Sequence, residues 1–413
     1  MVPETHSAPY FKDIGVIGLV YHSWKPLWMT PHHVLTRLAR YFHVVWVNPA
    51  HHWRGTWGRL RDSRPRFEDG WSTPGFTVYH PEFCFPRFYR PEWLDQLTLR
   101  LRIKRAWKML SRRGCTKLIL YVWHPQFESL LRTIRHDLSC YHIDDDYSFA
   151  GATGPINDSE SRLIANVDEV FVISPGLLDS KGRLNPHTTF VPEGVDFRAY
   201  ATPVPAPRDI ESIPSPRIGY TGHLKKQLDW PLLIRLVTRH PDWSFVLVGP
   251  ENHHAEIGAY LADLKQRPNV YFLGAKTAYE LAAYPQHFDV SIMPYRVDKY
   301  TNQIYPLKLH EYLASGRPVV AAPIRSLHEF SHLIRLPANA DEWSEALAEC
   351  LKPAPNSPAA IEARQEAARQ HDWDVLVGHI AEKMCQGIGA EYMLHPELHT
   401  LRCVNAPGPQ TRS

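Results

Sequence analysis

Short apolar runs alternate with longer amphipathic stretches along most of the chain. In the second half each apolar run is followed by a segment whose apolar positions lie three and four residues apart. Such alternation predicts a strand followed by a helix, and its repetition predicts an α/β fold with a doubly wound parallel sheet. The strands predicted in this half are RIGYTG, SFVLVGP, NVYFLG, DVSIMPY and PVVAAPI.

The first half shows the same alternation in a less regular form. Residues 54–87 are rich in proline, glycine and arginine, so we expect an irregular segment there. A long basic helix is expected over residues 92–114. Because strands and helices alternate in both halves, we expect one nucleotide-type domain in each. The strands predicted in the first half include IGVIGL, HVVWV, KLILYV, LSCYHI and EVFVI.

A proline-rich stretch separates the two halves of the chain. A chain of 413 residues is too long for one ordinary core, and the proline-rich stretch 201–216 breaks both helix and strand. We therefore expect one domain over residues 1–205 and a second over 206–370. A last helix is predicted over about residues 361–387, and a loose tail over 391–413.

Composition excludes several classes of protein. The formal net charge of +3 is too small to indicate nucleic-acid binding. Six scattered cysteines without a Cys-x-x-Cys pair predict reduced thiols in a cytoplasmic protein, with no disulfide framework or zinc site. No apolar run approaches the roughly 20 residues that span a bilayer, and no secretory segment is expected at the N-terminus.

The segment PLKLHEYLASGRPVVAAP predicts a loop, a helix and a buried strand. Pro306 suits a first helical turn, and Gly316 is expected to close the helix in a left-handed conformation. Lys308 and Glu311 lie three residues apart, so they share one face near the N-terminus of this helix. The free N–H groups and partial positive charge of that end favour a phosphate group.

This segment resembles the donor-binding helix of retaining GT-B glycosyltransferases of group 1, in the bacterial polysaccharide-type branch. IGYTGHLKKQLDW, CYHIDDDY and FVPEGVDF are similar to other stretches of that branch, and the resemblance covers most of residues 14–384. It implies two Rossmann-like domains facing a cleft, with a helix over residues 371–390 crossing back to the first domain. It also implies transfer of a sugar, with retention of configuration, from a nucleotide-sugar to a glycan or lipid-linked acceptor, without a metal or other cofactor.

The resemblance assigns donor roles to several residues. Glu311 matches the second glutamate of a Glu-x7-Glu motif, whose carboxylate accepts hydrogen bonds from ribose hydroxyls. The first glutamate is replaced by Gln303, which can still hydrogen-bond a sugar but carries no charge. We expect Gln303 to have a catalytic position beside the donor sugar, and plain loop polarity remains an alternative.

The diphosphate of the donor is expected to meet lysines and a glycine. The resemblance places Lys225 and Lys226 at the turn after YTGH, and Lys308 at the helix, near that group. Cations there would neutralise the leaving group, a role expected of Lys226 in catalysis, although the sequence leaves open which of the pair points inward. Gly222 would let the backbone approach the phosphate.

On the acceptor side, the resemblance implies a catalytic role for His124, just after the strand LILYVW. Trp24, His32 and His33 follow the first strand and are expected to line the same side. The triplet Asp144–Asp146 resembles the metal motif of the other glycosyltransferase fold, but it lies far in sequence from the phosphate helix. We interpret it as a strand-end loop facing the cleft and assign no metal site.

Two questions stay open at this level. The stretch Arg100–Arg113 holds seven basic residues and no acid, which fits either a solvated helix face or a peripheral contact with anionic lipid. Gln303 also keeps open a degenerate, non-catalytic nucleotide-sugar-binding or scaffold protein of the same fold. A nucleotide-sugar epimerase shares the architecture but would lack the EYLASGRPVV pattern.

Overall fold

A computed structural model describes residues 8–24, 28–55, 64–69, 74–88, 90–147, 158–252 and 255–393. These residues pack as two compact units, each with its own sheet. The first unit draws on Met1–Ile173, Leu177–Val191 and Trp373–Ser413, and the second on Ser174–Gly176 and Pro192–Asp372.

The first unit is built on a sheet in which eight strands are described. Its order is β3-β4-β2-β1-β5-β6-β7-β8, and every pairing is parallel except that of β3 with β4. The central strands are buried on both faces, which explains their continuous apolar sequences. The strands are β1 (Ile14–Leu19), β2 (His43–Val47), β3 (Arg66–Asp69), β4 (Phe76–His80), β5 (Lys117–Val122), β6 (Leu138–Ile143), β7 (Glu169–Val172) and β8 (Thr188–Phe190).

The second unit holds a sheet of five described strands, all parallel, in the order β11-β10-β9-β12-β13. The order reverses direction at β9, so the carboxyl end of β9 is the topological switch point where ligands of such sheets bind. The strands are β9 (Arg217–Thr221), β10 (Ser244–Val248), β11 (Val270–Gly274), β12 (Val290–Met293) and β13 (Val319–Ala321).

Helices connect the strands and cover the sheets in both units. The alternation confirms the predicted α/β class with doubly wound, mainly parallel sheets. The α-helices of the described residues are α1 (Thr30–Leu38), α2 (Glu92–Arg112), α3 (Glu128–Leu131), α4 (Asp158–Asn166), α5 (Pro175–Lys181), α6 (Phe197–Ala201), α7 (Arg208–Glu211), α8 (Trp230–Arg239), α9 (Gly258–Leu264), α10 (Ala278–Leu281), α11 (Lys308–Ala314), α12 (Ala340–Cys350), α13 (Pro358–Gln370) and α14 (Trp373–Ile388).

The helix predicted over residues 361–387 is two helices, α13 and α14. His371 lies between them and its carbonyl accepts a hydrogen bond from the Val195 N–H at 3.0 Å, outside the helical ladder. After this break, α14 belongs to the first unit, where Asp374 pairs with Arg37 at 2.8 Å and Arg40 at 2.7 Å. The apolar residues whose helical spacing indicated this helix, from Trp373 to Met384, all lie after the break.

Three further expectations need adjustment. Residues 54–87 are not wholly irregular, because β3 and β4 lie within them and extend the first sheet. The proline-rich stretch 201–216 belongs to the second unit, where it carries α7. Helix α11 begins at Lys308, so Pro306 precedes the helix, whereas Gly316 takes the expected positive φ, at 75°. The tail expected over 391–413 lies outside the described residues from position 394.

Candidate functional site

Helix α11 is fixed against the carboxyl end of β9 by a buried tyrosine. The Tyr312 hydroxyl accepts a hydrogen bond from the Thr221 N–H at 2.8 Å and lies 3.1 Å from the Thr221 hydroxyl. The Tyr312 side chain is fully buried, so this contact is shielded from water. The beginning of α11 therefore lies at the switch point of the second sheet.

Gly222 and Lys308 make a close approach directly after β9. Gly222 has φ of 127°, a conformation that L side chains rarely adopt. A Cβ atom there would lie 2.2 Å from Cε and 2.7 Å from Nζ of Lys308. The ammonium group also lies 5.6 Å from the centroid of the Tyr220 ring. Because Gly222 has no side chain, the Lys308 ammonium group can lie directly against the turn.

A second glycine, which the sequence analysis missed, lies beside the turn at Gly222. Gly249 follows β10, has φ of 148°, and a Cβ there would lie 2.1 Å from the Gly222 carbonyl oxygen. Two neighbouring strands therefore end in glycines whose backbones are in contact. The signal was available, because the run SFVLVGP places a glycine at the end of its strand, as YTG does.

The structure separates the lysine pair. Lys225 is half-buried. Burial, followed by the charges of Lys308 and Lys225, lowers the pKa of His223. Lys226 is exposed. Of the two lysines, Lys225 therefore shares the local positive field with Lys308, and the role expected of Lys226 stays a prediction.

Glu311 lies on α11 between a cation and a hydroxyl. Burial raises the pKa of its carboxyl group, while the Lys308 charge and a hydrogen bond from the Tyr200 hydroxyl oppose that rise. Tyr200 is 7% exposed and lies on α6, which packs against α11. Sequence reasoning missed Tyr200, since nothing in the local pattern pairs it with a residue more than a hundred positions later.

Gln303 presents an unsatisfied acceptor. Its side-chain Oε1 is buried and has no hydrogen-bond partner among the described residues. Its backbone carbonyl accepts from the Ser174 hydroxyl at 2.5 Å, and a Cβ at Gly176 would lie 2.3 Å from Oε1. Buried acceptors are rarely left unpaired, so this oxygen is suited to a donor from a ligand or water. Asn302 differs, because its Oδ1 accepts from the Arg325 N–H at 3.1 Å and so serves the loop.

In the first unit, His124 lies after β5 within a group of aromatic rings. It stacks on Tyr21 with ring centroids 4.7 Å apart, and the Tyr147 ring lies edge-on at 4.8 Å. Burial, assisted by His22 and Arg87, lowers the pKa of His124 to about 4. Its Nδ1 accepts from the Gln126 N–H at 3.2 Å, which leaves the proton of the neutral ring on Nε2. His124 is therefore a neutral donor near pH 7.

The aspartate triplet after β6 divides into different environments. Asp144 accepts from the Tyr147 hydroxyl at 2.6 Å, and burial raises its pKa to about 7. Asp146 is buried and pairs with Lys181 at 3.1 Å, and Lys181 also reaches Glu160 at 2.7 Å. Within the described ranges, no three histidine, cysteine or acidic side chains are grouped as metal ligands.

Two residues expected to line the acceptor side belong to the core instead. Trp24 is 4% exposed and His32 1%, and both pack on Trp46 with centroids 5.2 and 4.5 Å away. The aromatic contacts bury them because β1 and β2 are neighbours in the sheet. His33 stacks on Trp373 at 5.1 Å, so it holds α14 against α1.

Comparison with known proteins finds a family match over one part of the chain. The family model of glycosyl transferases group 1 matches residues 215–353, which contain Gly222, Gln303, Lys308 and Glu311. Residues 215–353 are therefore similar to a group 1 glycosyltransferase domain. The resemblance to group 1 glycosyltransferases found in the sequence is thereby confirmed.

One curated protein similar to this chain is the putative teichuronic acid biosynthesis glycosyltransferase TuaH of Bacillus subtilis (strain 168). The two chains are 29% identical over 238 residues. This match covers 54% of the present chain and 58% of TuaH. The present chain thus matches only somewhat more than half the length of that relative.

Solved structures extend the likeness beyond the group 1 domain. Sucrose-phosphate synthase from Thermosynechococcus elongatus superposes with a TM-score of 0.66 at 16% identity, covering 90% of this chain and 98% of that one. HepE of Anabaena in complex with UDP gives 0.63 at 16% identity, covering 91% and all of that chain. At such identities the likeness establishes the fold, which is that of the GT-B glycosyltransferases.

Proposed function

We propose that this protein is a glycosyltransferase that moves a sugar from a nucleotide-sugar donor to a glycan or lipid-linked acceptor, in cell-surface polysaccharide biosynthesis. The observation that carries the proposal is the arrangement of Gly222, Lys308, Glu311 and Tyr200 at the carboxyl end of β9. It combines a glycine turn, a cation and a fixed carboxylate inside the group 1 domain.

Each part of the arrangement matches one part of a nucleotide-sugar. The glycine turns allow phosphate oxygens to approach the backbone, and the Lys308 ammonium supplies charge for the diphosphate. The Glu311 carboxylate, oriented by Tyr200, suits the two ribose hydroxyls as an acceptor. The free acceptor of Gln303 suits a hydroxyl of the sugar. UDP, the ligand of the HepE structure, is the first nucleotide to test.

In the proposed reaction, the bond between the anomeric carbon and the diphosphate oxygen breaks. A bond from the acceptor hydroxyl oxygen to the same carbon forms, and the hydroxyl proton leaves with the nucleoside diphosphate. Lys308, with Lys225 or Lys226, would stabilise the charge that develops on the diphosphate. His124 would orient the acceptor hydroxyl as a neutral donor. We expect retention of configuration and no requirement for a metal.

The proposal for the acceptor follows from the name of a relative and from the helices of the chain. The name of TuaH refers to teichuronic acid, which favours a surface polysaccharide as the product here. A lipid-linked acceptor would require contact with a membrane, which we propose is peripheral. No helix of the described ranges is both long and apolar enough to cross a membrane. We further propose a cytoplasmic location, with the five described cysteines as free thiols.

A direct test is a calorimetric binding screen of UDP-, GDP- and ADP-sugars, followed by transfer assays with the donor that binds. The expected result is saturable binding of one nucleotide class and a product in which the anomeric configuration, read by NMR, equals that of the donor. Binding of none of these donors would contradict the proposal, and an inverted product would contradict its stereochemistry.

A non-catalytic binding protein is the second candidate, and Gln303 is the observation that favours it. The neutral side chain replaces a carboxylate of the family motif, yet its unpaired oxygen remains able to hold a sugar. A binder would take up the donor in calorimetry but give neither transfer nor hydrolysis. If Gln303→Glu then produced activity, the non-catalytic alternative would be favoured.

A further inference from the structure

The outward face of helix α2 combines exposed apolar and basic side chains, and we propose that it docks on the surface of an anionic phospholipid bilayer. The inference assigns a surface to the peripheral contact of the proposed function. It uses none of the donor-site residues, so either proposal can fail without the other.

The face is defined by helical spacing. Trp93, Leu97, Arg100, Lys104 and Lys108 follow one another at intervals of four, three, four and four residues, which places them within a stripe about 80° wide. The side chains of the opposite face are buried, and this fixes the stripe toward solvent. Those buried residues are Thr98, Leu99, Arg102, Ile103, Ala106 and Leu110.

The first turns of this stripe are apolar. Trp93 is 66% exposed and Leu97 is 44% exposed. Together with Glu92, Gln96 and Arg100 they line a groove of about 540 Å³ on the surface. Exposure of a tryptophan and a leucine side by side to water is unfavourable. The indole of tryptophan is instead stabilised at the level of the lipid headgroups.

The remaining turns of the stripe are basic, although fewer cations face outward than the sequence indicated. Arg102 is buried, Arg105 pairs with Glu82 at 3.1 Å, and Arg113 pairs with Asp69 at 2.5 Å. Three of the seven basic residues therefore do not contribute an unpaired charge to the solvent-facing side of the helix. Lys104, Lys108 and Arg112 are exposed and form no ion pair with another described residue.

The combination favours a bilayer over an acidic protein. From Trp93 to Arg112 the helix runs about 28 Å, so it can lie along a flat surface with its apolar end inserted among headgroups. Lysine and arginine stems can lie on the apolar layer while their charges reach lipid phosphates. An acidic protein surface would also attract the charges, but it would leave the exposed side chains of Trp93 and Leu97 against polar groups.

The charge part is tested by sedimentation with vesicles of phosphatidylcholine, with and without phosphatidylglycerol, at low and high salt. The variant is Lys104→Gln/Lys108→Gln/Arg112→Gln, and its control is Arg135→Gln/Arg183→Gln/Arg235→Gln, which removes as many exposed cations elsewhere. We expect partitioning onto anionic vesicles to fall about fivefold per removed cation in the α2 variant. Salt is expected to weaken binding of the native protein, because it screens exposed charges.

Equal losses in both triple variants would show an effect of net charge and overturn the assignment to α2. Binding that ignores lipid charge would do the same. Calorimetric UDP affinity is expected to be unchanged in both variants, which separates this test from that of the donor site.

The apolar part is tested by fluorescence quenching with vesicles whose acyl chains carry bromine. Native protein is expected to lose tryptophan emission on binding, and Trp93→Phe is expected to lose most of that quenching while still binding. Binding without any quenching difference between the two proteins would mean that Trp93 stays outside the bilayer. The apolar end of the stripe would then not dock on the bilayer, and the proposal would be wrong.

Discussion

The carboxyl ends of the two sheets carry different chemistry. At the end of β9, backbone glycines, the Lys308 ammonium and the Glu311 carboxylate lie together, each with an identified neighbour. At the end of β5, His124 lies among the rings of Tyr21 and Tyr147, and burial keeps it neutral. One site is built for charge and backbone contact, and the other for stacking and neutral hydrogen bonds.

The difference reflects what each site would bind. A diphosphate and a ribose present the same groups in every nucleotide-sugar, so the elements that hold them need few residue types in fixed positions. Acceptors differ in ring, linkage and charge, and aromatic surfaces can bind many of them. If this comparison is correct, substitutions near β9 change nucleotide affinity, whereas those near His124 leave it intact.

The largest effect is expected at Glu311. Glu311→Ala removes the acceptor for two ribose hydroxyls and should weaken UDP binding by roughly 1.5–3 kcal/mol, the scale for hydrogen bonds to a charged group. Glu349→Ala, a solvent-facing carboxylate on α12, is the control and should not change affinity. Unchanged calorimetric affinity of Glu311→Ala for UDP, when the native protein binds it, would remove Glu311 from the donor site.

Gly222→Ala is expected to separate backbone strain from ligand binding. A side chain at φ of 127° should reduce the free energy of unfolding by about 1–3 kcal/mol, and its Cβ should displace Lys308. Gly274→Ala is a matched control, since φ there is 68° and no atom lies within 4 Å of the added Cβ. Both variants should lose stability in denaturant titrations, but only Gly222→Ala should lose UDP affinity. Equal affinities would mean that Lys308 does not meet the phosphates.

The grouping of residues at the carboxyl end of β9 was largely predictable from the sequence because these residues lie close to strand ends. Gly222 and Glu311 were found from YTGH and the α11 segment, and Gly316 adopts the positive φ that its position required. Tyr200 was not found, since its contact with Glu311 joins α6 to α11 and depends on tertiary packing. Trp24 and His32 were misassigned because a position after the first strand does not distinguish a buried aromatic cluster from a binding surface.

Tyr200→Phe is expected to have a moderate effect with a distinctive pH dependence. The hydroxyl stabilises the ionised Glu311, so its loss should weaken UDP binding by about 0.5–1.5 kcal/mol. Without this hydrogen bond the pKa of Glu311 rises further, and as pH falls the variant should lose affinity at a higher pH than the native protein. Calorimetry across a pH series measures this shift. A uniform loss at all pH values would indicate a packing role only.

At His124 the effect on nucleotide affinity is expected to be small, and the pH effect is set by burial. The pKa falls from its ordinary value of 6.5 to about 4, so between these values the unfolded chain binds the proton and the folded protein does not. The contribution of His124 to stability is therefore full above about pH 6.5 and decreases as pH falls toward 4. His124→Gln should flatten this part of the pH dependence and leave UDP binding unchanged. An NMR titration of His124 with a midpoint near 6.5 would contradict the buried, neutral assignment.

Removal of divalent cations is expected to change neither the transfer rate nor the affinity for UDP, because the two sheet ends differ in charge. A metal would be needed if the diphosphate lacked positive partners, but Lys308 and Lys225 supply charge beside the glycine turn. The aspartates that resemble a metal motif belong to the first unit, where Asp146 is held by Lys181 and Asp144 by the Tyr147 hydroxyl. Transfer rates and UDP affinity should therefore be equal with EDTA and with added Mg²⁺ or Mn²⁺.

If EDTA abolished transfer and Mn²⁺ restored it, Asp144→Asn and Asp145→Asn would show whether the triplet holds the ion. In that case the charge of the donor would be neutralised from the first unit, and the assignment of charge chemistry to the end of β9 alone would be wrong.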